Sequence, residues 1–354
     1  MQCISLDDRV ILHGFYSIDK ELDAAEILDA VHSHNHKKII FYDPLEYVPC
    51  FQQPFGWGIN FVDYFNLLAK KCKVGIEYWT SLHSHKDLVT FKDYNLSVCN
   101  WPSYLLYATY HSANHNSSLT LWGNNKKISK LAICVNGKPR DHRSLMLDTI
   151  HKYQLQHSMD LSWLVPNGVD THFPYDFQYF DNRQLVLDVD PGNNPNPEDI
   201  CVDSVAVPPH TKRNVFALVN ETTVDYLDIS EKTFMYILAK QPFVIFGAPG
   251  VHRMLKRYYG FKLYEDHIDY SFDRIANHKA RAEAICMQLK ALRNRDFCHL
   301  KDEMMPIAEY NYQRYLHIVS NSLFLPEFVK NASWLKDVSH LLGTPHHEII
   351  QNAL

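Results

Sequence analysis

NVFALVNETTVDYLDISEKTFMYILAKQPFVIFGAPG, residues 214–250, is the stretch whose pattern decides the fold. Val215-Phe216-Ala217-Leu218-Val219 is an unbroken apolar run closed by the polar Asn220-Glu221-Thr222. Such a run is expected of a strand buried on both faces of a parallel sheet. Ser230 stands where a helix N-cap is needed, and Glu231 to about Lys240 reads as the helix it starts. Pro242 stops that helix, because proline can neither donate to the helix nor fit inside it. Phe243-Val244-Ile245-Phe246 is a second buried strand, and Gly247-Ala248-Pro249-Gly250 is a tight turn into a short helix. Strand, helix, strand is a crossover unit of a parallel sheet.

The same alternation continues outward. Upstream, Lys130-Leu131-Ala132-Ile133-Cys134-Val135 is a strand and Asn136-Gly137-Lys138-Pro139-Arg140 its turn. Asp141 can cap a helix that carries Met146, Ile150 and Tyr153 on one face. DVDPGNNPNPED, residues 188–199, is a loop on composition and the segment of this half expected to be a mobile or acceptor-facing insertion. Downstream, residues 277–293 read as a helix with Ala282, Ile285, Leu289 and Leu292 in phase. Residues 302–319 read as a last long helix on Met305, Ala308, Tyr312, Tyr315 and Val319. Nearer the start, a polar helix from Glu21 to His32 precedes an apolar strand at 37–42, and Phe61, Tyr64, Phe65 and Leu68 form a helical stripe. Strands are expected again at 74–79 and 104–110. Gly123-Asn124-Asn125 is a connecting loop. The expectation is an α/β chain of two Rossmann-like domains, residues 1–126 and 127–300, with their parallel sheets facing a central cleft. Helices in 301–354 would pack back toward the first domain.

Composition narrows the class. The 354 residues suit two domains of about 130–200 residues each. Apolar residues make up 46% and charged residues 21%, as in ordinary globular proteins, so neither a disordered nor a fibrous chain is expected. The net charge of −5 gives no general coat for a polyanion. None of the eight cysteines forms a CxxC pair, and free thiols in a reducing compartment are expected. MQCISLDDRV lacks a basic stretch followed by an apolar one, and no window reaches 18 apolar residues. A cytoplasmic protein without a membrane anchor is expected, in a host cytoplasm if viral. His34 with His36, and His83 with His85, lack carboxylate or cysteine partners at ligand spacing and read as solvated histidines.

Three turns would meet at the carboxyl edge of the second sheet. They offer Lys138, Arg140 and Arg143, then Glu221, then Glu231 with Lys232. A nucleotide diphosphate-sugar needs such a set: cations and helix amides for the pyrophosphate, a carboxylate for the ribose diol. A lysine in a helix's first turn opposes the helix dipole, which asks for an anion nearby. Gly247 and Gly250 let backbone approach a ligand closely. Val219-Asn220-Glu221-Thr222, Ile229-Ser230-Glu231-Lys232-Thr233 and Gln241-Pro242-Phe243-Val244-Ile245-Phe246-Gly247 together resemble the donor-site signature of the α1,3-fucosyltransferase-like glycosyltransferases. With Arg140 and His142-Arg143 upstream and Gly260-Phe261, Asp269 and Tyr270 downstream, residues 131–293 are similar to glycosyltransferase-like proteins of tailed phages. The resemblance implies a GT-B fold, an inverting transfer, a nucleotide-diphosphate sugar donor such as a UDP- or GDP-sugar, and no essential metal. It implies that Glu231 and Lys232 contact ribose and phosphate, that Glu221 matches the glutamate of the family's upstream pair, and that Arg140 or Arg143 offsets the pyrophosphate. The family carries a Tyr just ahead of its Glu-Lys, where Asp228 and Ile229 stand here, so the sugar is left unassigned.

Inverting transfer needs a general base on the acceptor side. Asp43 and Glu46 follow the strand ending at Tyr42 and are the candidates, with Glu77, Asp63 and His13 behind them; Asp43-Pro44 reads equally as a turn former. The phage-like resemblance makes hydroxymethylated pyrimidines in double-stranded DNA the favoured acceptor. Lys37-Lys38, Lys70-Lys71-Lys73 and Lys126-Lys127-Lys130 would meet phosphates if they share a face. Aromatic residues from Phe51 to Trp57 suit a flipped base or a sugar equally. A cell-envelope glycan or a protein is the alternative acceptor. A non-catalytic sugar- or nucleotide-binding protein is the alternative outside catalysis.

Overall fold

In a computed structural model the chain divides into two compact units, Met1–Tyr104 and Leu105–Leu354. The structure describes five strands among residues 2–100, residues 104, 105 and 108, and then residues 128–163, part of 175–187, and 208–324, with breaks at 138 and 322. Both units carry mainly parallel sheets, so the α/β expectation holds.

The sheet of the first unit has its strands in chain order: β1 (Gln2–Leu6), β2 (Arg9–His13), β3 (Lys38–Tyr42), β4 (Gly75–Thr80) and β5 (Leu96–Asn100). β1 runs antiparallel to β2 and the other pairs are parallel. β3 and β4 are the strands expected at 37–42 and 74–79. β5 escaped notice because Ser97 and Asn100 interrupt its apolar pattern. The expected strand at 104–110 is corrected: Tyr104, Leu105 and Ala108 are helical and buried. A short aromatic run does not distinguish a strand from a buried helix. The boundary expected at 126/127 lies outside the described residues.

The second unit is wound in both directions. Its sheet has the order β7-β6-β8-β9, all pairs parallel, from β6 (Lys130–Cys134), β7 (Met159–Leu161), β8 (Asn214–Asn220) and β9 (Phe243–Phe246). The chain starts in an interior strand, winds outward to β7, then crosses back to β8 and β9. Strand order therefore reverses between β6 and β8, and it is outside the carboxyl ends of strands at such a point that open α/β sheets bind their ligands. Every residue of β8 and β9 is buried, as the unbroken apolar runs required.

Five helices are described with this sheet: α1 (Asp141–Lys152), α2 (Glu231–Leu238), α3 (Val251–Met254), α4 (His278–Leu292) and α5 (Phe297–Ser320). α4 packs on α1, burying Ile285, Cys286 and Leu289 with Met146 and Ile150. α5 packs on α2, where the Phe234 and Tyr315 rings lie 6.1 Å apart. Each such fully buried apolar side chain contributes roughly 1.5–3 kcal/mol. α4 has the bounds its stripe predicts, with the Asn277 side chain accepting from Ala280 N at 2.9 Å as its cap. α5 starts earlier than its stripe suggests because Asp296 caps it, accepting from His299 N at 3.1 Å, and Met304 rather than Met305 faces inward. α1 has Arg140 at its N-cap and Asp141 in its first turn, one residue off the expected start. No helix among the described residues is long and apolar enough to cross a membrane.

Buried charges hold the amino edge. Asp160 accepts the Arg213 fork at 2.8 and 2.6 Å and the Asn214 amide at 2.7 Å. Burial alone would raise its carboxyl, but these three bonds outweigh it and hold the group below the usual range. Lys301 donates to Asn214 O at 2.6 Å and to Gln241 Oε1 at 3.1 Å, bridging the starts of β8 and β9, and burial pushes its ammonium down to about 8. Lys130 donates to His157 O at 2.8 Å. It begins β6, so it belongs to this amino edge and not to the edge where a donor would sit.

Candidate functional site

At the reversal point the carboxyl ends of β6, β7 and β8 are locked by amides. Asn220 Nδ2 donates to Asn136 Oδ1 at 2.7 Å, Asn136 Nδ2 to Ser162 O at 3.2 Å, and Asn136 N to Ser162 Oγ at 3.0 Å. All three residues are buried, so each bond replaces water that the groups lost. Cys134 lies beneath this net, and burial pushes its thiol up to about 12, which makes it inert packing. Cys134, Cys286 and Cys298 are free thiols.

The segment after β6 reaches across to the segment after β8. Arg140 Nη1 donates to Thr222 O at 2.5 Å, and His142 Nε2 lies 2.9 Å from Glu221 O. A carbonyl only accepts, so Nε2 carries the proton. Burial, with further opposition from the Arg143 and Arg140 charges, pulls the imidazole down to about 4 and keeps it neutral. Arg143 is 5% exposed on the first turn of α1, and its charge acts on both Cys134 and His142. Lys138 lies outside the described residues.

Glu221 is buried and turned toward α2. Its Oε2 accepts from Ser230 N at 3.1 Å, Thr222 N at 3.3 Å and the Ser230 hydroxyl, and its Oε1 accepts from the Thr233 hydroxyl at 2.5 Å. Ser230 occupies the N-cap position as expected, yet its hydroxyl donates instead of capping. A carboxylate from the preceding strand end does the capping, a stronger acceptor that also favours the positive end of the helix.

Glu231 and Lys232 open α2. Lys232 Nζ donates to Glu231 Oε1 at 2.7 Å and stands 3.5 Å from Thr222 Oγ1. The anion that the lysine's position asked for is met, in the chain itself, by its neighbour. Glu231 is buried, while the Lys232 side chain keeps 22% exposure and can swing. Gly247 makes a close approach to protein: a Cβ there would stand 3.3 Å from Glu221 Cγ. Gly250 has φ +89° and its N–H donates to Asp273 O at 2.7 Å, so only glycine fits easily at this start of α3.

Behind α3, His252 Nδ1 lies 2.9 Å from Asp273 Oδ1, and its Nε2 accepts from Ile245 N at 3.1 Å. The pair satisfies the outer edge of β9. On α4, the Arg281 guanidinium carbon lies 5.6 Å from the centroid of the Phe246 ring, at the carboxyl end of β9. The sequence reading passed over Arg281, although the signal was present. It is in phase with Ile285 and Leu289, a charge on an otherwise apolar face.

Asp43, Glu46 and Asp63 lie outside the described residues, as do both histidine pairs, Lys70, Lys71, Lys73, Lys126, Lys127, the segment from Phe51 to Trp57 and the loop 188–199. Glu77 is half-buried within β4, opposite Ile40 and Ser97. His13 closes β2. Among the described residues, no three His, Cys, Asp or Glu side chains gather as a metal site.

The sequence matches no protein-family profile and no curated protein. The fold is similar to a crystal structure of an α1,3-fucosyltransferase, with a TM-score of 0.35 and 10% identity, covering 79% of this chain and 75% of that one.

Proposed function

We propose that the carboxyl edge of the β7-β6-β8-β9 sheet binds the nucleotide diphosphate of a sugar donor, and that the chain is an inverting glycosyltransferase acting on a hydroxyl. The observation that carries the reading is the bridge across the reversal point. Arg140 and His142, from one side, reach the backbone of Thr222 and Glu221 on the other, at distances of 2.5 and 2.9 Å. A parallel sheet wound both ways from this point places its ligand there. Arg140, Arg143 and Lys232 gather positive charge beside it, which suits a pyrophosphate.

In this reading Lys232 leaves Glu231 for the phosphates, and Glu231 accepts from a ribose hydroxyl. Glu221 touches no ligand; it holds the start of α2 in position. Gly247 and Gly250 shape the adjoining turn. As the nucleotide diphosphate departs, negative charge grows on its phosphates, and fixed cations stabilise that state more than the ground state. The acceptor hydroxyl loses its proton to a carboxylate, for which Asp43 and Glu46 are the candidates. Hydroxymethylated pyrimidine in double-stranded DNA is the first acceptor to try, and a cell-envelope glycan or protein the second.

Nucleotide release from UDP- and GDP-sugars, with and without hydroxymethylated DNA, tests the reading. Release that depends on that DNA supports it in full. Turnover on an oligosaccharide alone removes the DNA acceptor, and donor binding without turnover on any acceptor favours a binding protein. Lys232→Ala is expected to weaken donor binding at least tenfold with the melting curve unchanged; unaltered affinity would remove the site assignment.

A further inference from the structure

Arg281 is 2% exposed, so its cation lies inside the protein. Nη1 is used: it donates to Ile275 O at 2.5 Å and to Ala276 O at 3.2 Å, the carbonyls just ahead of α4. Nε and Nη2 are buried and have no acceptor among the described residues. No carboxylate among the described residues forms an ion pair with the group; Asp273 and Asp225 favour its charge from farther away. Burial pulls the guanidinium down only to about 10, so it stays charged at neutral pH.

The two idle nitrogens are the informative ones. Nε and Nη2 lie along one side of the planar guanidinium, and their N–H bonds run parallel. That side is the fork that grips a carboxylate or phosphate with two bonds at once. The two bonds from Nη1 fix the plane and leave the fork unspent. A buried cation with one edge held by backbone and the other empty is expensive for a chain that gains nothing from it. Its position makes sense of the expense. Phe246, whose ring it approaches, ends β9, and the next residue is Gly247 beside Glu221. His278, in the first turn of α4, stands 3.6 Å from Asp225 of the segment after β8. Arg281 thus belongs to the same carboxyl edge as Arg140 and His142, whose ring lies 6.5 Å from that of Phe246.

We propose that Arg281 is a further oxyanion-binding residue of this edge, its Nε–Nη2 fork taking a phosphate group of a nucleoside diphosphate. The proposal rests on the nucleotide-diphosphate reading of the edge for its ligand, and on Arg281 alone for its residue. An arginine there serves a purpose a lysine would not. The fork fixes the orientation of the phosphate, whereas an ammonium supplies only charge.

The test is calorimetric titration of the full chain with uridine and guanosine diphosphates, with inorganic pyrophosphate, and with the bare nucleosides. Arg281→Lys and Arg281→Gln are compared with wild type, and folding is checked by near-ultraviolet circular dichroism. The expected result is a loss of tenfold or more for the diphosphates and pyrophosphate in both variants, with nucleoside binding unchanged. Lysine should fail to rescue fully. Wild-type binding of a diphosphate with undiminished affinity in folded variants would overturn the proposal and leave Arg281 as a structural tie to Ile275 and Ala276. If wild type binds no diphosphate, the reading of the edge fails; Arg281-dependent binding of pyrophosphate would then still support the fork, and its absence would overturn both. Should neither variant fold, a crystal structure of wild type with a bound nucleoside diphosphate decides. A phosphate oxygen within hydrogen-bonding distance of Nε and Nη2 supports the proposal, and a phosphate seated elsewhere refutes it.

Discussion

Glutamine in place of Glu221 keeps the size of the side chain, removes its charge and turns one acceptor into a donor. Two backbone N–H groups and two hydroxyls meet this carboxylate: Ser230 N, Thr222 N, Ser230 Oγ and Thr233 Oγ1. A hydrogen bond to a charged acceptor contributes about 1.5–3 kcal/mol, against about 1 for a neutral one. Thr233 can rotate its hydroxyl to accept from the new amide, so the four bonds are kept in number. The loss is then the charge assistance, about 0.5–2 kcal/mol for a bond; four donors share one charge here, so the lower half of that range applies to each, about 2–4 kcal/mol in all. For a unit of this size that lowers the melting midpoint by roughly 5–12 °C. Thermal unfolding followed by circular dichroism measures it. Nucleotide affinity taken well below the midpoint, where Glu221→Gln is folded, is expected to stay within about threefold of wild type, a difference of less than 1 kcal/mol. A variant that melts with wild type but has lost nucleotide affinity would refute the reasoning, because Glu221 would then face a ligand and not α2.

Three other outcomes follow from the geometry. His142 is held neutral, near 4 against an ordinary 6.5, so the unfolded chain binds a proton in that window and the folded chain does not. Its contribution is whole above the ordinary value and is lost as pH falls, by about 3 kcal/mol at the lower end. In urea unfolding across that window, His142→Asn should lose stability less steeply than wild type, and parallel profiles would contradict the assignment. Gly250→Ala forces an L side chain to φ +89° with Arg253 Nη2 3.1 Å from its Cβ, and should lower stability by about 1–2 kcal/mol in the same assay. Arg213→Ala leaves the Asp160 carboxylate buried with the Asn214 amide as its remaining described partner, and should cost about 3 kcal/mol at neutral pH. That loss should shrink as the medium is acidified and the carboxyl protonates; a loss independent of pH would point to packing alone.

The parts of this fold that show in the sequence are those fixed by a single local pattern. β8 and β9 are continuous apolar runs, and α4 is an apolar stripe with Asn277 as its cap. Strand order does not show, because reversal between β6 and β8 depends on pairing partners far apart in the chain. β7 and β5 are short, and Asp160 and Ser97 break their apolar patterns. The site was legible as a set of charges but not as a set of contacts. Glu221 falls within the nucleotide-sugar set because a carboxylate after a strand is the same letter whether it faces a ligand or a helix start. Its orientation depends on Ser230 and Thr233, nine and twelve residues on. Arg281 was legible in principle, since a charge in phase with Ile285 and Leu289 has to be buried, but a helix stripe is ordinarily read for its apolar members.

Glu221 has a wider consequence. Its carboxylate holds the first turn of α2, its carbonyl meets His142, its N–H donates to Phe246 O at 3.0 Å, and its side chain crowds the place a Cβ at residue 247 would take. Three segments answer to one residue, in the manner of a keystone. Such an edge is assembled before any ligand arrives, so little ordering has to accompany binding. It also limits how the protein can diverge. No one of these loops can be lengthened or exchanged without unseating the others. New ligand preferences would have to come from half-buried side chains carried on the frame, such as Thr223 and Tyr226, while the frame stays as it is.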